Sequence, residues 1–259
     1  MYKVLTLATL LLANTSVHAI SNIESQRPGP PPEGWSGHLE FSASGKSGDV
    51  EEDHYGIGGK VVFKAEENTA FMILEKARGE TQDIKTSDEA FAHLRGIHER
   101  TDRFAVEAFL QWQENEFSNL LSRNLLGAGG RFGILADPDQ YTFDLGLGAF
   151  REWEETDLGT YVDNQTNWRI NTYWAYRHRL NEQVNWYNTV YYQPKADEFD
   201  DYRMLFDAGL TVRLTDALQL QISYNLRYDS RPPQNLEVDP VIDRARTNTQ
   251  YSTSFLYEF

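Results

Sequence analysis

Apolar and polar residues alternate one for one along most of this chain. Trp35, Gly37, Leu39, Phe41 and Ala43 interleave with Ser36, His38, Glu40, Ser42 and Ser44, a period of two that puts the two sets on opposite faces of an extended strand. Tyr55, Ile57, Gly59, Val61 and Phe63 repeat the pattern against His54, Lys60 and Lys64. It returns from Phe104 to Trp112, Tyr141 to Ala149 and Trp168 to Tyr176, and is cleanest from Met204 to Leu214 and Leu218 to Tyr228. Residues 69–79, 89–100, 120–134 and 183–193 follow it less tidily, and 247–259 completes the set. The segments predict about twelve strands of roughly ten residues, the length that crosses a bilayer obliquely.

The joins carry a second pattern. Those near Glu66–Asn68, Thr101–Asp102, Ala136–Gln140, Asn181–Glu182 and Thr215–Ala217 are short. Those near 46–53, 80–88, 115–119, 155–163, 195–201 and 229–245 are mostly longer and more acidic. Short and long joins alternate, as periplasmic turns and extracellular loops do in outer-membrane barrels. The fold predicted is all-β, a closed antiparallel transmembrane β-barrel of about twelve strands with both termini in the periplasm. Closure satisfies every backbone polar group in lipid, which an open sheet does not. A β-sandwich shows the same alternation; the tyrosines and tryptophans near strand ends, placed like an interfacial girdle, favour the barrel.

Both termini point the same way. Residues 1–19 carry Lys3, an apolar run from Val4 to Ala13 and the sequence Val17-His18-Ala19, the make-up of a secretory signal cut after Ala19. The run is too short for a transmembrane helix. Residues 20–34 include Arg27-Pro-Gly-Pro-Pro-Pro-Glu-Gly34 and read as a stiff periplasmic linker, leaving 35–259 for the barrel. At the other end Tyr251, Thr253, Phe255, Tyr257 and Phe259 alternate with Ser252, Ser254 and Glu258. This resembles the signal by which the bacterial barrel assembly machinery recognises its clients, with Tyr251, Phe255, Tyr257 and Phe259 as the signal residues. The expected location is the outer membrane of a Gram-negative bacterium.

Composition narrows the partners. The chain has 259 residues, no cysteine and a formal charge of −15, so disulfides and thiolate metal sites are absent and nucleic acid is excluded as a partner. Much of the acid lies in Asp49-Val50-Glu51-Glu52-Asp53, Glu152-Trp153-Glu154-Glu155 and Asp197-Glu198-Phe199-Asp200-Asp201. Such loops are solvated faces first; a second reading gives them Ca²⁺ or Mg²⁺ bridging to lipopolysaccharide phosphates. Outer-membrane lipids and lipopolysaccharide are the expected surroundings, and no motif calls for a cofactor.

With the apolar set facing lipid, the alternate charges line the lumen. Glu107, Arg131, Asp144 and Arg177 fall at similar depth on four successive strands, with alternating sign. Nearer the outer end Arg123, Glu152 and Arg169 repeat the arrangement, and Glu40 is placed to meet Lys60 across the first hairpin. Opposite charges on one face of neighbouring strands attract. Lys64, Arg203, Arg213 and Arg227 against Asp207 and Glu258 add a modest basic excess. Two functions follow: a narrow, anion-preferring small-solute channel, or a closed barrel locked by its own charge pairs and serving envelope integrity or osmotic adaptation.

An enzyme reading is thin. A lipid-modifying barrel needs a nucleophile system at its rim. His93 and His98 differ in parity and face opposite sides of one strand, while His38 and His54 sit in no local motif. Gly127-Ala-Gly-Gly130 lacks the Lys-Ser/Thr of a phosphate loop and suits close approach in a sheet. No residue is assigned as catalytic or metal-binding.

Three stretches carry a family resemblance: Trp35-Ser-Gly-His-Leu-Glu-Phe-Ser-Ala-Ser-Gly-Lys-Ser-Gly48, Asn115-Glu-Phe-Ser-Asn-Leu-Leu-Ser-Arg-Asn-Leu-Leu-Gly-Ala-Gly129 and Leu145-Gly-Leu-Gly-Ala-Phe-Arg-Glu-Trp153. They resemble the YdiY-type, salt-induced outer-membrane proteins, domain of unknown function 481. Gly48-Asp49 stands where that family commonly has Gly-Asn, and still suits a turn. The resemblance implies a barrel in the outer membrane and transfers no active-site residue.

Overall fold

A computed structural model describes residue 23 and residues 32–46, 52–81, 84–137, 140–232 and 245–259. Residues 1–19, expected as a signal segment, and most of 20–34, expected as a linker, lie outside the described residues. The chain forms β1 (Gly34–Lys46), β2 (Glu52–Ala65), β3 (Asn68–Thr81), β4 (Ile84–Thr101), β5 (Phe104–Asn115) and β6 (Leu120–Asp137). It continues as β7 (Tyr141–Asp157), β8 (Val162–Arg179), β9 (Val184–Pro194), β10 (Tyr202–Arg213), β11 (Leu218–Asp229) and β12 (Thr247–Glu258). Each strand pairs antiparallel with its sequence neighbours, and β12 returns to β1 to close a twelve-stranded barrel. The seam is brief: His38 to Phe41 pair with Glu258 to Phe255, and Gly37 and Phe259 exchange backbone hydrogen bonds at 3.3 and 3.2 Å.

The alternation sorts the faces. Leu39, Phe41, Tyr55, Ile57, Leu74, Leu110, Leu126, Leu147 and Trp168 are exposed on the outside, while Glu152, Arg169 and Arg203 are buried within. Charge inside and an apolar exterior invert the soluble pattern; the barrel's solvent on the outside is lipid. Aromatic side chains mark both rims. Trp35 meets Phe63 and Phe104 meets Phe132 near the end that holds Phe259, both at 4.8 Å between ring centres. Tyr192, Tyr202 and Tyr228 stack along the other end.

The strand pattern departs from expectation at 80–88. A long loop was expected there; instead β3 ends at Thr81 and β4 starts at Ile84. The segment Lys85 to Asp88 joins the strand through salt links, Lys76 to Asp88 and Lys85 to Asp88, so its polar residues form a protruding hairpin. Between β5 and β6 a short 3₁₀ turn, Glu116–Ser118, is capped by the Asn115 side chain, which accepts from Ser118 N at 2.9 Å.

Candidate functional site

The inner belt lies where β4 to β8 meet. Arg131 on β6 reaches Glu107 on β5 at 3.1 Å and Asp144 on β7 at 3.4 Å. Glu107 also receives Arg95 of β4 at 3.0 Å, a partner that sequence reasoning missed. Arg95 in turn stands over the rings of Phe71 and Phe109. Arg177 sits on β8 in register with Thr142, one row below Asp144, and within electrostatic reach of Lys60 on the far wall. Glu40 pairs in register with Gly58 and Lys60 with His38, so these two side chains occupy adjacent luminal rows rather than one.

The outer belt is larger than three residues. Glu152 receives Arg123 at 3.2 Å, Arg169 at 2.9 Å, and Arg203, which arrives from β10. Glu154 receives Arg123 at 2.7 Å and Arg203 at 3.1 Å. Arg203 also reaches Asp229 at 3.1 Å, and Arg169 reaches Asp201 at 3.0 Å. Lys195 holds the other oxygen of Asp201 at 2.6 Å. Glu152 is fully buried, and its arginines nearly so. Buried charges are tolerated when each has several opposite partners, and here sign alternates from residue to residue. Glu154, which the sequence presents as part of an acidic loop cluster, is luminal because β7 continues to Asp157.

Inside the belts the lumen is apolar in two places. Leu125, Phe150, Tyr173, Ala175, Tyr191 and Leu205 form one buried cluster on β6 to β10. Ile23 joins Val62, Phe71, Ile73, Phe91, Ile97 and Ala105 in a second, on β2 to β5. Glycine makes room for the first: a Cβ at Gly146 would overlap the ring of Tyr173, and one at Gly127 the ring of Phe109. Gly127-Ala-Gly-Gly130 thus serves close approach. His93 is buried in the same layer, with Nδ1 at 3.2 Å from Gln111 and Arg95 Nε donating to its Nε2 at 3.3 Å. His98 lies on the opposite face beside Asn68.

A cavity of about 220 Å³ lies unfilled in the outer half, on the side of β1 to β5 and β9 to β12. Glu40, Glu75, Glu89, Glu114 and Asp207 line it, with Lys76 and Arg227 as its bases and Ser42, Ser223, Ser252 and Gln221 between. Among the described residues no group of three or more His, Asp or Glu side chains is placed to hold a metal ion. On the outer surface, Arg151 projects between the rings of Trp153 and Trp168, 5.4 and 5.9 Å from their centres.

The family described as "Protein of unknown function, DUF481" matches residues 39–259. The chain belongs to the DUF481 family. No curated protein matches it. Among solved structures, this DUF481 barrel is similar to the translocator domain of the autotransporter NalP from Neisseria meningitidis, with 12% identity and a TM-score of 0.51. That match covers 89% of this chain and 90% of the other. It is similar to the COG4313 outer-membrane channel from Pseudomonas putida F1, with 10% identity and a TM-score of 0.52 over 90% of this chain and 99% of that one. The NanC porin gives 10% identity and a TM-score of 0.50, over 87% of this chain and 100% of its own. At such identities the likeness is one of fold: these DUF481 strands make an outer-membrane type of barrel.

Proposed function

We propose that this DUF481 protein is a narrow outer-membrane channel for small charged solutes, exported by its signal segment and closed in the conformation observed. One observation carries the reading: a polar cavity of about 220 Å³ stands open in a lumen that elsewhere holds ion pairs and apolar clusters. The COG4313 protein and NanC, similar in fold, are described as a channel and a porin. Five acids, Glu40, Glu75, Glu89, Glu114 and Asp207, line the cavity with two bases, Lys76 and Arg227, and rings of acid favour cations. The anion preference expected from the luminal tally draws its support from Lys60, Lys64, Arg177 and Arg213, which gather toward the other mouth. Arg203 contributes none of it, being spent on Glu152, Glu154 and Asp229.

The measurement is the reversal potential of the folded protein in a planar bilayer under a salt gradient. Cation-selective steps that weaken in Glu40→Gln support the acidic cavity as the filter; anion-selective steps that weaken in Arg177→Glu move the filter to the inner mouth. Silence from folded protein returns the second reading, a closed barrel for envelope integrity, which the packed belts favour. No catalytic role is proposed: His93 is engaged by Gln111 and Arg95 within packed side chains. Among partners, the outer-leaflet phosphates of lipopolysaccharide suit Arg151, a lipid-facing cation set between two rim tryptophans. The barrel assembly machinery suits the aromatic rungs of β12.

A further inference from the structure

Four residue pairs join β1 to β12, from His38 with Glu258 to Phe41 with Phe255, against thirteen between β1 and β2 and eleven between β11 and β12. Both strands run on past that point, β1 to Lys46 and β12 back to Thr247, each still paired on its other side. Among the described residues no ladder joins 42–46 to 247–254. Gly37 and Phe259 exchange both backbone bonds, and such pairs recur at every second position of an antiparallel ladder. The next in line after Phe41 and Phe255 would be Ala43 and Thr253, so their backbone N–H and C=O groups point across the seam.

The unzipped length lies at membrane depth. Phe41 stands six residues beyond Trp35 of the inner rim, about 15 Å up at the usual tilt, within an apolar band of about 25 Å. Phe41, Tyr251 and Phe255 flank it on the outside, all exposed. A strand edge in hydrocarbon needs a cover.

The cavity is directly behind it. Glu40 and Ser42 of β1 and Gln250, Ser252 and Ser254 of β12 line the cavity, so the unpaired length is its wall on that side. Opposite stand Glu75 and Glu89 of β3 and β4, and beside β12 stands Arg227 of β11. The Nε of Arg227 is buried and donates to no acceptor among the described residues, a donor that an anionic oxygen would satisfy.

We propose that the seam between β1 and β12 is a lateral portal, through which the cavity takes the head of an amphiphile from the membrane while its apolar chain stays in lipid between Phe41 and Phe255. Excess acid with one arginine matches a zwitterionic head that joins an amine to a phosphate, phosphoethanolamine being the simplest. The seam is where such a molecule fits, since its head meets polar walls, its chain meets aromatic rings and its body covers the strand edges. The portal needs the cavity but not a conducting path, so it does not rest on the channel reading.

The chain has no cysteine, so thiols can be installed without background. Gln221→Cys places one in the cavity, on β11 in register with Ser254. The folded protein is set in phosphatidylglycerol vesicles, whose heads carry no amine, doped with a phospholipid bearing maleimide on its head. Labelling at residue 221 is read by mass spectrometry against labelling by a water-soluble maleimide. The lipid-borne reagent should label it; labelling by the soluble reagent alone overturns the portal. A lock is then added, Ala43→Cys with Thr253→Cys, opposed across the seam at the roughly 5.5 Å of a bonded pair, within disulfide range. Oxidation should lower lipid-borne labelling severalfold, whereas Ala43→Cys with Tyr55→Cys, a register pair of β1 and β2, should not. Labelling that survives the first lock means entry by a mouth and overturns the portal.

Competition tests the head. Lysophosphatidylethanolamine should lower labelling severalfold and lysophosphatidylglycerol should not; equal effects overturn the zwitterionic head. Free phosphorylethanolamine, with the same head and no chain, should have little effect. If it competes as well as the lysolipid, the cavity takes a free solute and the amphiphile is overturned. Labelling from a protein that is silent in a planar bilayer removes the channel reading and leaves the portal standing.

Discussion

Arg203 on β10 reaches Glu152 on β7 although two strands, β8 and β9, lie between them in the wall. A contact between non-neighbours is a strut across the lumen. Glu152 is the hub, since Arg123, Arg169 and Arg203 all converge on it.

Neutralising the hub should therefore be costly. In Glu152→Gln three buried guanidiniums lose their shared anion, and breaking a buried pair in this way costs about 3–5 kcal/mol. The urea midpoint for unfolding from lipid vesicles is the readout. Glu198→Gln, which breaks the exposed contact with Arg231 at 2.6 Å, should leave the midpoint unchanged, because solvent and salt screen such pairs. Equal effects from the two would mean that the lumen is wet enough to screen Glu152.

Asp201 supplies a pH dependence outside the membrane span. Burial raises its carboxyl, but the hydrogen bond from Lys195 and the charge of Arg169 outweigh it and hold the group below its ordinary value of 3.8. A depressed carboxyl contributes stability above its unfolded value and loses it as pH falls through the folded one. The gap in urea midpoint between the unaltered protein and Asp201→Asn should be constant from about pH 7 to about pH 5 and close only below the ordinary aspartate range. A gap that closes near neutral pH would assign the effect to another group.

How far the sequence could be read depends on what each luminal face carries. Where the inward residues are mostly polar, as on β1 and β11, the period of two is plain, and it survives on β2, β7, β8 and β10, which each add only one or two inward apolar residues, Val62, Phe150, Tyr173, Ala175 and Leu205. The untidy segments mix large apolar residues into the inward face: Phe71 and Ile73 on β3, Phe91 and Ile97 on β4, Leu125 on β6, Tyr187 and Tyr191 on β9. With both faces apolar, alternation fades although the strand is regular. Those same residues make the luminal packing, so what blurred the pattern was the filling of the barrel. Struts such as Arg203 to Glu152 escaped notice for a different reason: neighbour-strand reasoning sees pairs along the wall and not across it.

The glycines of β6 and β7 make a separable prediction. Tyr173 lies where a side chain at Gly146 would be, so Gly146→Ala must move a packed ring and should cost about 1–3 kcal/mol. Gly96 has nothing within 4 Å of an added Cβ, and Gly96→Ala should leave the urea midpoint unchanged or raise it slightly, since alanine narrows the unfolded ensemble. A loss in both would point to backbone flexibility in the sheet as the reason for glycine.

The seam allows the two roles of Phe259 to be told apart. Its backbone exchanges hydrogen bonds with Gly37, and its ring lies so near that a Cβ at Gly37 would come 2.9 Å from Cζ, with the Lys60 carbonyl closer still. Gly37→Val should therefore weaken closure itself, lowering both the yield of refolding into lipid and the level of folded protein in cells. Phe259→Ala keeps the backbone bonds and removes the ring. If that aromatic is chiefly an address for the assembly machinery, refolding in vitro should stay near that of the unaltered protein while the level in cells falls severalfold. Parallel losses in the two settings would instead make the ring a structural lid on the seam, because purified lipid contains no machinery to misread it.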